Sequence, residues 1–270
     1  MRYAACVEYD GSSFSGWQAQ KQQVRTVQET VESALSKVAN VKTTIITAGR
    51  TDAGVHATHQ IIHFNSDAQR TNFSWCRGCN RFLPADVRIL WVQEVNSEFH
   101  ARFSALSRSY RFIIYNQSIQ SALFRHQATN EFMPLDAAKM AKAGQVLIGE
   151  HDFSSFRAAG CQAHSPIRTV HSLELRQQGY WIWFDIKANA FLQHMVRNIA
   201  GALIEIGNGK RELAWMQQVL SAKQRTKAGF TAPANGLYLV GVEYPAEFKM
   251  QTELKKVAYW AEASDGSNPA

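Results

Sequence analysis

The sequence predicts an α+β protein built as two α+β halves, with antiparallel or mixed sheets flanking a cleft. Three observations carry this. Apolar, β-branched runs and amphipathic helical stretches alternate, but without the regular spacing of a doubly wound βαβ fold. A strand, helix, loop, hairpin and helix series begins again near residue 105. The chain is long enough for real cores, since 46% of its 270 residues are hydrophobic and 19% charged. We divide it into an N-terminal part, 1–104, a second part, 105–247, and a polar tail, 248–270.

The elements follow in order. "RYAACVEYD" alternates Tyr3, Ala5, Val7 and Tyr9 on one face and reads as a strand. The Gly/Ser-rich loop "DGSSFSGWQ" follows, with Phe14 and Trp17. "TVQETVESALSKVAN" carries Val27, Val31, Leu35 and Val38 at helical spacing, and Thr26 with Glu29 forms a capping box. "TTIIT" and "THQIIHF" read as strands on either side of the loop "AGRTDAGVHA". A helix is expected at "FSWCRGCNRFL", closed by Pro84, then a strand at "VRILWVQEV". The basic segment "HARFSALSRSYRFIIYN" runs into a strand. "PLDAAKMAKAGQVLIG" reads as a helix and "EHDFSSFRAAGCQAHSPIR" as a loop. "TVHSLELRQQGYWIWFDIKAN" reads as a hairpin turning at Gln178–Gly179, its second strand covered on both faces. "AFLQHMVRNIAGALIEIG" is an apolar helix stopped by Gly207–Gly209, and a shorter helix at "ELAWMQQVL" precedes the final strand of "APANGLYLVGVEY".

Lys and Arg outnumber Asp and Glu by 29 to 22, a formal charge of +7 that favours a polyanionic partner without requiring one. The N-terminus has no apolar h-region, and no run of about 18 apolar residues suits a membrane span. Four cysteines, at 6, 76, 79 and 161, make no disulfide framework. A reduced, cytoplasmic protein is expected.

Several chemistries are poorly supported. His56, His59 and His63 do not converge on one metal from a strand, because residues three apart face opposite ways. "CRGC" at 76–79 has no second C-x-x-C and no thioredoxin-like surroundings, so its thiols are expected in the core. Neither a Walker sequence, nor G-x-G-x-x-G between strand and helix, nor a G-x-S-x-G elbow is present. Asp52, in "GRTDAGVH", has two readings. An Asp in a Gly-flanked loop commonly supplies an Asx-turn. With Arg50 nearby and Tyr110 and Arg197 elsewhere, it is also a candidate nucleophile, since a half-buried carboxylate needs a cation to remain ionised.

"GRTDAGVHA" resembles the signature of the TruA family of tRNA pseudouridine synthases. The resemblance covers most of residues 3–245 through "YDGSSFSGWQ", "TVQETVESAL", "HARFSALSRSYRF", "HDFSSFRAAGCQ", "AFLQHMVRNIAG" and "APANGLYL". "CRGC" and the tail look particular to this chain. The resemblance implies the pseudouridine synthase fold with a central basic cleft. It also implies cofactor-free, metal-free isomerisation of uridine at positions 38, 39 and 40 in the anticodon arm of tRNA. Asp52 matches the catalytic aspartate, which attacks C1′ or takes a proton from C2′. Arg50 would fill the space left by the flipped nucleotide. Tyr110 would stack on the uracil and assist removal of the C5 proton. Arg197 matches the basic partner of the carboxylate, and Leu237 either lines the pocket or packs in the core. Arg102, Arg108, Arg111, Arg125, Arg157 and Arg168 are expected phosphate contacts. A homodimer is implied too. The rival readings are an RNA-binding protein without chemistry and a metal-dependent nucleic-acid hydrolase.

Overall fold

The computed structural model describes residues 1–251. Its first part contains β1 (Arg2–Tyr9), α1 (Val27–Ala39), β2 (Ile46–Thr47), β3 (His56–Asn65), α2 (Asn72–Phe82) and β4 (Val87–Val95). The second contains β5 (Ser107–Asn116), β6 (Thr129–Glu131), α3 (Ala137–Gly144), β7 (Gly149–Asp152), β8 (Ile167–Gln178), β9 (Trp181–Ala188), α4 (Met195–Gly207), α5 (Ala214–Ala222) and β10 (Leu237–Glu243). The α+β expectation holds, with one addition. The strands of both parts belong to a single ten-stranded sheet whose main order is β4-β1-β3-β10-β5-β9-β8-β7.

The joint is β10. It pairs in parallel with β3, Tyr238 opposite His56, and antiparallel with β5, Leu239 opposite Tyr110. β3 is buried along nearly its whole length. Phe64 meets Trp75 of α2 at 5.2 Å, and its neighbour His63 meets Phe99 at 6.1 Å. Successive residues point to opposite faces, so these contacts cover both sides of the strand.

Local signals explain most boundaries. Thr26 Oγ1 accepts from Glu29 N at 3.4 Å and its hydroxyl donates to the Glu29 carboxylate, which fixes the start of α1. Thr71 and Asp136 cap α2 and α3 in the same way. "TTIIT" is strand only at 46–47. The Thr43 and Ile45 amides donate to Ser36 and Glu32 of α1, at 2.9 and 3.0 Å, instead of to a sheet ladder. α4 begins at Met195 and not near Ala190. Residues 190–194 form a loop started by Asn189, whose Oδ1 accepts from Ala190 N and Thr169 N. β9 alternates buried and half-buried residues, so the expectation that both its faces are covered does not hold.

The cysteines of "CRGC" lie on α2, Cys79 buried and Cys76 half-buried. Burial, with Cys76 beside it, pushes the Cys79 thiol up to about 12, so it is an inert core group. The three histidines of the "HATHQIIH" run are all buried and bond separately: His56 with Gly11 N, His59 with Cys6, His63 with Ala101 N. Of the expected tail, Phe248 packs on Phe99 and Gln251 N donates to Gln93, while residues 252–270 lie outside the described residues.

Gly201 lets α4 pass close to the segment at 230–232: a Cβ there would sit 2.0 Å from the Phe230 carbonyl oxygen. Gly201→Ala is expected to destabilise the fold by about 1–3 kcal/mol through overpacking, read as a lowered urea midpoint. A second outcome concerns pH. Burial pushes the His59 and His63 imidazoles down to about 4. In the unfolded chain they titrate near their ordinary value of about 6.5. Between these values the unfolded chain binds more protons, so stability is lost as pH falls through that window. The thermal midpoint should drop on acidification from about pH 6.5 to about 4, and His59→Gln should remove about half of the slope.

Candidate active site

The loop between β2 and β3 is held by its main chain. Ala48 N donates to Ile61 O at 2.8 Å, and Gln60 Nε2 donates to Gly49 O at 2.6 Å. Thr51 O accepts from Trp17 N at 3.0 Å, and the Thr51 hydroxyl shares a 2.7 Å hydrogen bond with Tyr9. The tip closes through Val55 N, which donates to the carbonyl oxygen of Asp52 at 3.2 Å. The Asp52 side chain therefore takes no part in the turn. Asp10 offers the contrast: its carboxylate accepts from Ser12 N at 2.9 Å in a true Asx arrangement.

Backbone packing steadies the loop from below. Gly16, at φ +94°, brings residues 15–17 against the peptide units of 51–53, and a Cβ there would lie 3.0 Å from Thr51 O. Only glycine combines that φ with that approach.

The carboxylate faces Arg197, which lies 145 residues away in sequence on the first turn of α4. Arg197 Nη1 donates to Asp52 Oδ2 at 3.2 Å, and the side chains are 17% and 26% exposed. Arg197 is itself aimed by Ala232, whose carbonyl accepts from Nε at 2.8 Å, while Ala232 N donates to Arg197 O at 3.1 Å. Among the described residues no hydrogen bond engages Asp52 Oδ1. A half-buried carboxylate with one oxygen anchored to a cation and the other open is suited to attack on an electrophilic carbon or to removal of a proton.

Tyr110 comes from the middle of β5. It is buried, and its ring meets Phe191 edge-on at 5.0 Å. Its hydroxyl lies against Gly49, 3.8 Å from where a Cβ would stand. Burial raises its phenol above the ordinary value, and the charges of Tyr9 and Asp52 add to this, so it is protonated at neutral pH. Leu237 opens β10, buried, with Phe112 opposite it. Arg50 is exposed, and no hydrogen bond or ion pair holds it among the described residues. The loop and α4 thus bring Asp52 and Arg197 into contact, with the Tyr110 hydroxyl against Gly49 at the start of the same loop.

One neighbour escaped the sequence reading. His194 Nε2 stands 3.5 Å from Asp52 Oδ2. The sequence carried no local signal for it, because His194 stands before the helix in a left-handed conformation that helical spacing does not report.

The expected phosphate-binding arginines divide. Arg108 donates to the carbonyls of Ala48, Arg102, Ala105 and Asn189, clamping the loops around the site. Arg111 forms a forked pair with Asp185, both contacts at 2.7 Å. Arg157 donates to Cys161 O and Ala163 O, and Arg168 to Ser165 O. The guanidinium of Arg108 is thus spent on the fold, because four main-chain carbonyls occupy its N–H groups, and the phosphate expectation is corrected there. Arg125 donates to Ala122 O from an exposed position, and Arg102 is exposed beside Phe103. The His/Cys/Asp/Glu residues described form no group of three placed for a metal ion.

Comparison with known proteins places the chain in a family. The family model described as tRNA pseudouridine synthase matches residues 5–104 and 143–245, which include Arg50, Asp52, Arg197 and Leu237, while Tyr110 falls between the matched stretches. The tRNA pseudouridine synthase A of Nitrosococcus oceani is 54% identical over 260 residues, covering 96% of this chain and 100% of that protein. That of Alcanivorax borkumensis is 52% identical, covering 93% of this chain and 94% of the relative. That of Cronobacter sakazakii is 51% identical, with 93% and 92% covered. With the family model spanning both parts of the sheet and such relatives matching nearly end to end, the chain belongs to the tRNA pseudouridine synthase family.

Proposed function

We propose that this isomerase converts uridine to pseudouridine at positions 38, 39 and 40 in the anticodon arm of tRNA, with Asp52 as its nucleophile. The observation that carries the reading is the Asp52 carboxylate, released from the turn, anchored at Oδ2 by Arg197 and open at Oδ1. In the reaction the N1–C1′ bond breaks, uracil turns over, a C5–C1′ bond forms, and the proton on C5 is exchanged for one on N1. Nothing is oxidised or reduced, so the balance calls for no redox cofactor and no ATP. The open oxygen attacks C1′ as the glycosidic bond breaks.

The other residues take their roles around that step. Arg50 occupies the space of the flipped nucleotide, whose unstacking costs a few kcal/mol. The Tyr110 ring stacks on uracil, and its protonated hydroxyl assists loss of the C5 proton. Leu237 gives the detached base an apolar wall. In this reading residues 1–104 carry the Asp52 loop, and 105–247 complete the cleft. Of the six arginines expected at phosphate, Arg102 and Arg125 are the exposed ones. The exposed apolar residues Ile119, Leu123, Phe132 and Met133 support a homodimer. A tRNA substrate and four free cysteines fit the cytoplasm.

Tritium release from tRNA carrying [5-³H]uridine tests the reading. Wild type should release tritium in EDTA, and Asp52→Asn should lose at least about 10⁴-fold in rate while binding tRNA within about threefold of wild type. Release by both proteins would remove Asp52 from the chemistry. The arginines give a second measurement. Arg102→Ala should weaken tRNA binding and reduce the slope of log affinity against log salt by about one. Arg108→Ala should instead lower the thermal midpoint, because it leaves the carbonyl of buried Ala48 without its donor and unties the loops that Arg108 joins.

A further inference from the structure

Asp52 Oδ2 is approached from a second direction. His194 directly precedes α4, with φ 62° and ψ 2°, a left-handed conformation that a non-glycine residue adopts only under constraint. Its side chain makes no capping bond to the helix. The main chain starts the helix alone, with the His194 carbonyl accepting from Asn198 N at 2.9 Å. Neighbouring contacts fix the bend: Met195 N donates to Leu192 O at 3.0 Å, and Ala158 N to Gln193 O at 3.0 Å. The imidazole Nε2 stands 3.5 Å from Asp52 Oδ2, and the side chain is 32% exposed.

This arrangement answers a mechanical problem. The terminal torsion of an aspartate is soft, so a carboxylate held by one N–H can rock about it and swing its other oxygen out of line. Arg197 supplies one N–H to one oxygen. A second donor on that same oxygen, from another direction, fixes the rotation.

We propose that His194 is a positioning residue: its Nε2–H and the Arg197 Nη1–H together hold Oδ2, so that Oδ1 is the oxygen presented to the ribose of the target uridine. The inference rests on the reading of Asp52 as nucleophile. Either protonation state that carries hydrogen on Nε2 serves. The 3.5 Å separation is that of an open site, and such contacts shorten when substrate closes over them.

The test compares wild type with His194→Phe, His194→Asn and His194→Gln on a tRNA anticodon stem-loop carrying [5-³H]uridine. Single-turnover rate, Kd and thermal midpoint are measured for each. Asparagine tolerates the left-handed backbone but its amide is too short to reach Asp52, so that variant separates folding from positioning. Glutamine carries its amide nitrogen to about the reach of the imidazole Nε2. His194→Phe and His194→Asn should each slow the single turnover about 10²-fold, with Kd within about threefold of wild type. His194→Gln should recover most of the rate. Phe and Asn variants as fast as wild type would overturn the proposal, and so would a folded Gln variant as slow as the Phe variant. Wild type that binds the stem-loop without releasing tritium is a different failure, one that removes the Asp52 reading itself.

Discussion

The pairing of Asp52 with Arg197 is the constraint on which the site depends. A carboxylate taken partly out of water is costly unless a cation and hydrogen bonds accompany it. Here the cation comes from a helix 145 residues further along, so the pair can form only when both parts of the chain have their final arrangement. The second requirement is negative. The turn at 51–55 must close without the aspartate side chain, and it does so through the Asp52 carbonyl and the anchoring of Thr51 by Trp17 and Tyr9. A turn using the side chain would have been as stable and chemically silent.

Around that pair the protein spends its charged groups sparingly. Arg108 is the clearest case: a guanidinium in the basic segment before Tyr110, satisfied by carbonyls from four places in the chain. Its link to Ala48 ties the Asp52 loop to β5, and its link to Asn189 ties both to the loop that carries Phe191 and His194. Rigidity here is useful, because a misplacement of about 1 Å at a reacting atom can cost about 10²-fold in rate.

Much of this was legible in the sequence, for physical reasons. Helix α1 was marked by a local capping box and a four-residue apolar repeat, both independent of the rest of the fold. The motif around Asp52 was legible as a loop because glycine positions encode backbone geometry directly. What could not be read were choices made by distant partners. The amides of Thr43 and Ile45 are claimed by α1 side chains, which shortens β2. The start of α4 is delayed because Asn189 and His194 adopt loop geometry that helical periodicity does not report. The role of Arg108 was hidden for the same reason, since a solvated cation and a half-buried clamp have the same local sequence signature. The single sheet was hidden by the parallel pairing of β10 with β3, a contact between strands far apart in the chain.

That pairing also sets a schedule for the molecule. β10 is the last strand, among the described residues, to be synthesised, and it occupies the middle of the sheet. Until it arrives, the stretches of β3 and β5 that it pairs, His56–Ala57 and Ser107–Phe112, present open edge, the usual template for association with other chains. Long-range closure of this kind is slow compared with the hairpin of β8 and β9, so the nascent chain passes through a period when its central seam is open. The segment 230–232 that orients Arg197 lies just ahead of β10, which makes the site among the last features to mature. A chain released short of residue 237 would carry the Asp52 motif intact and still lack the seam that binds its two parts.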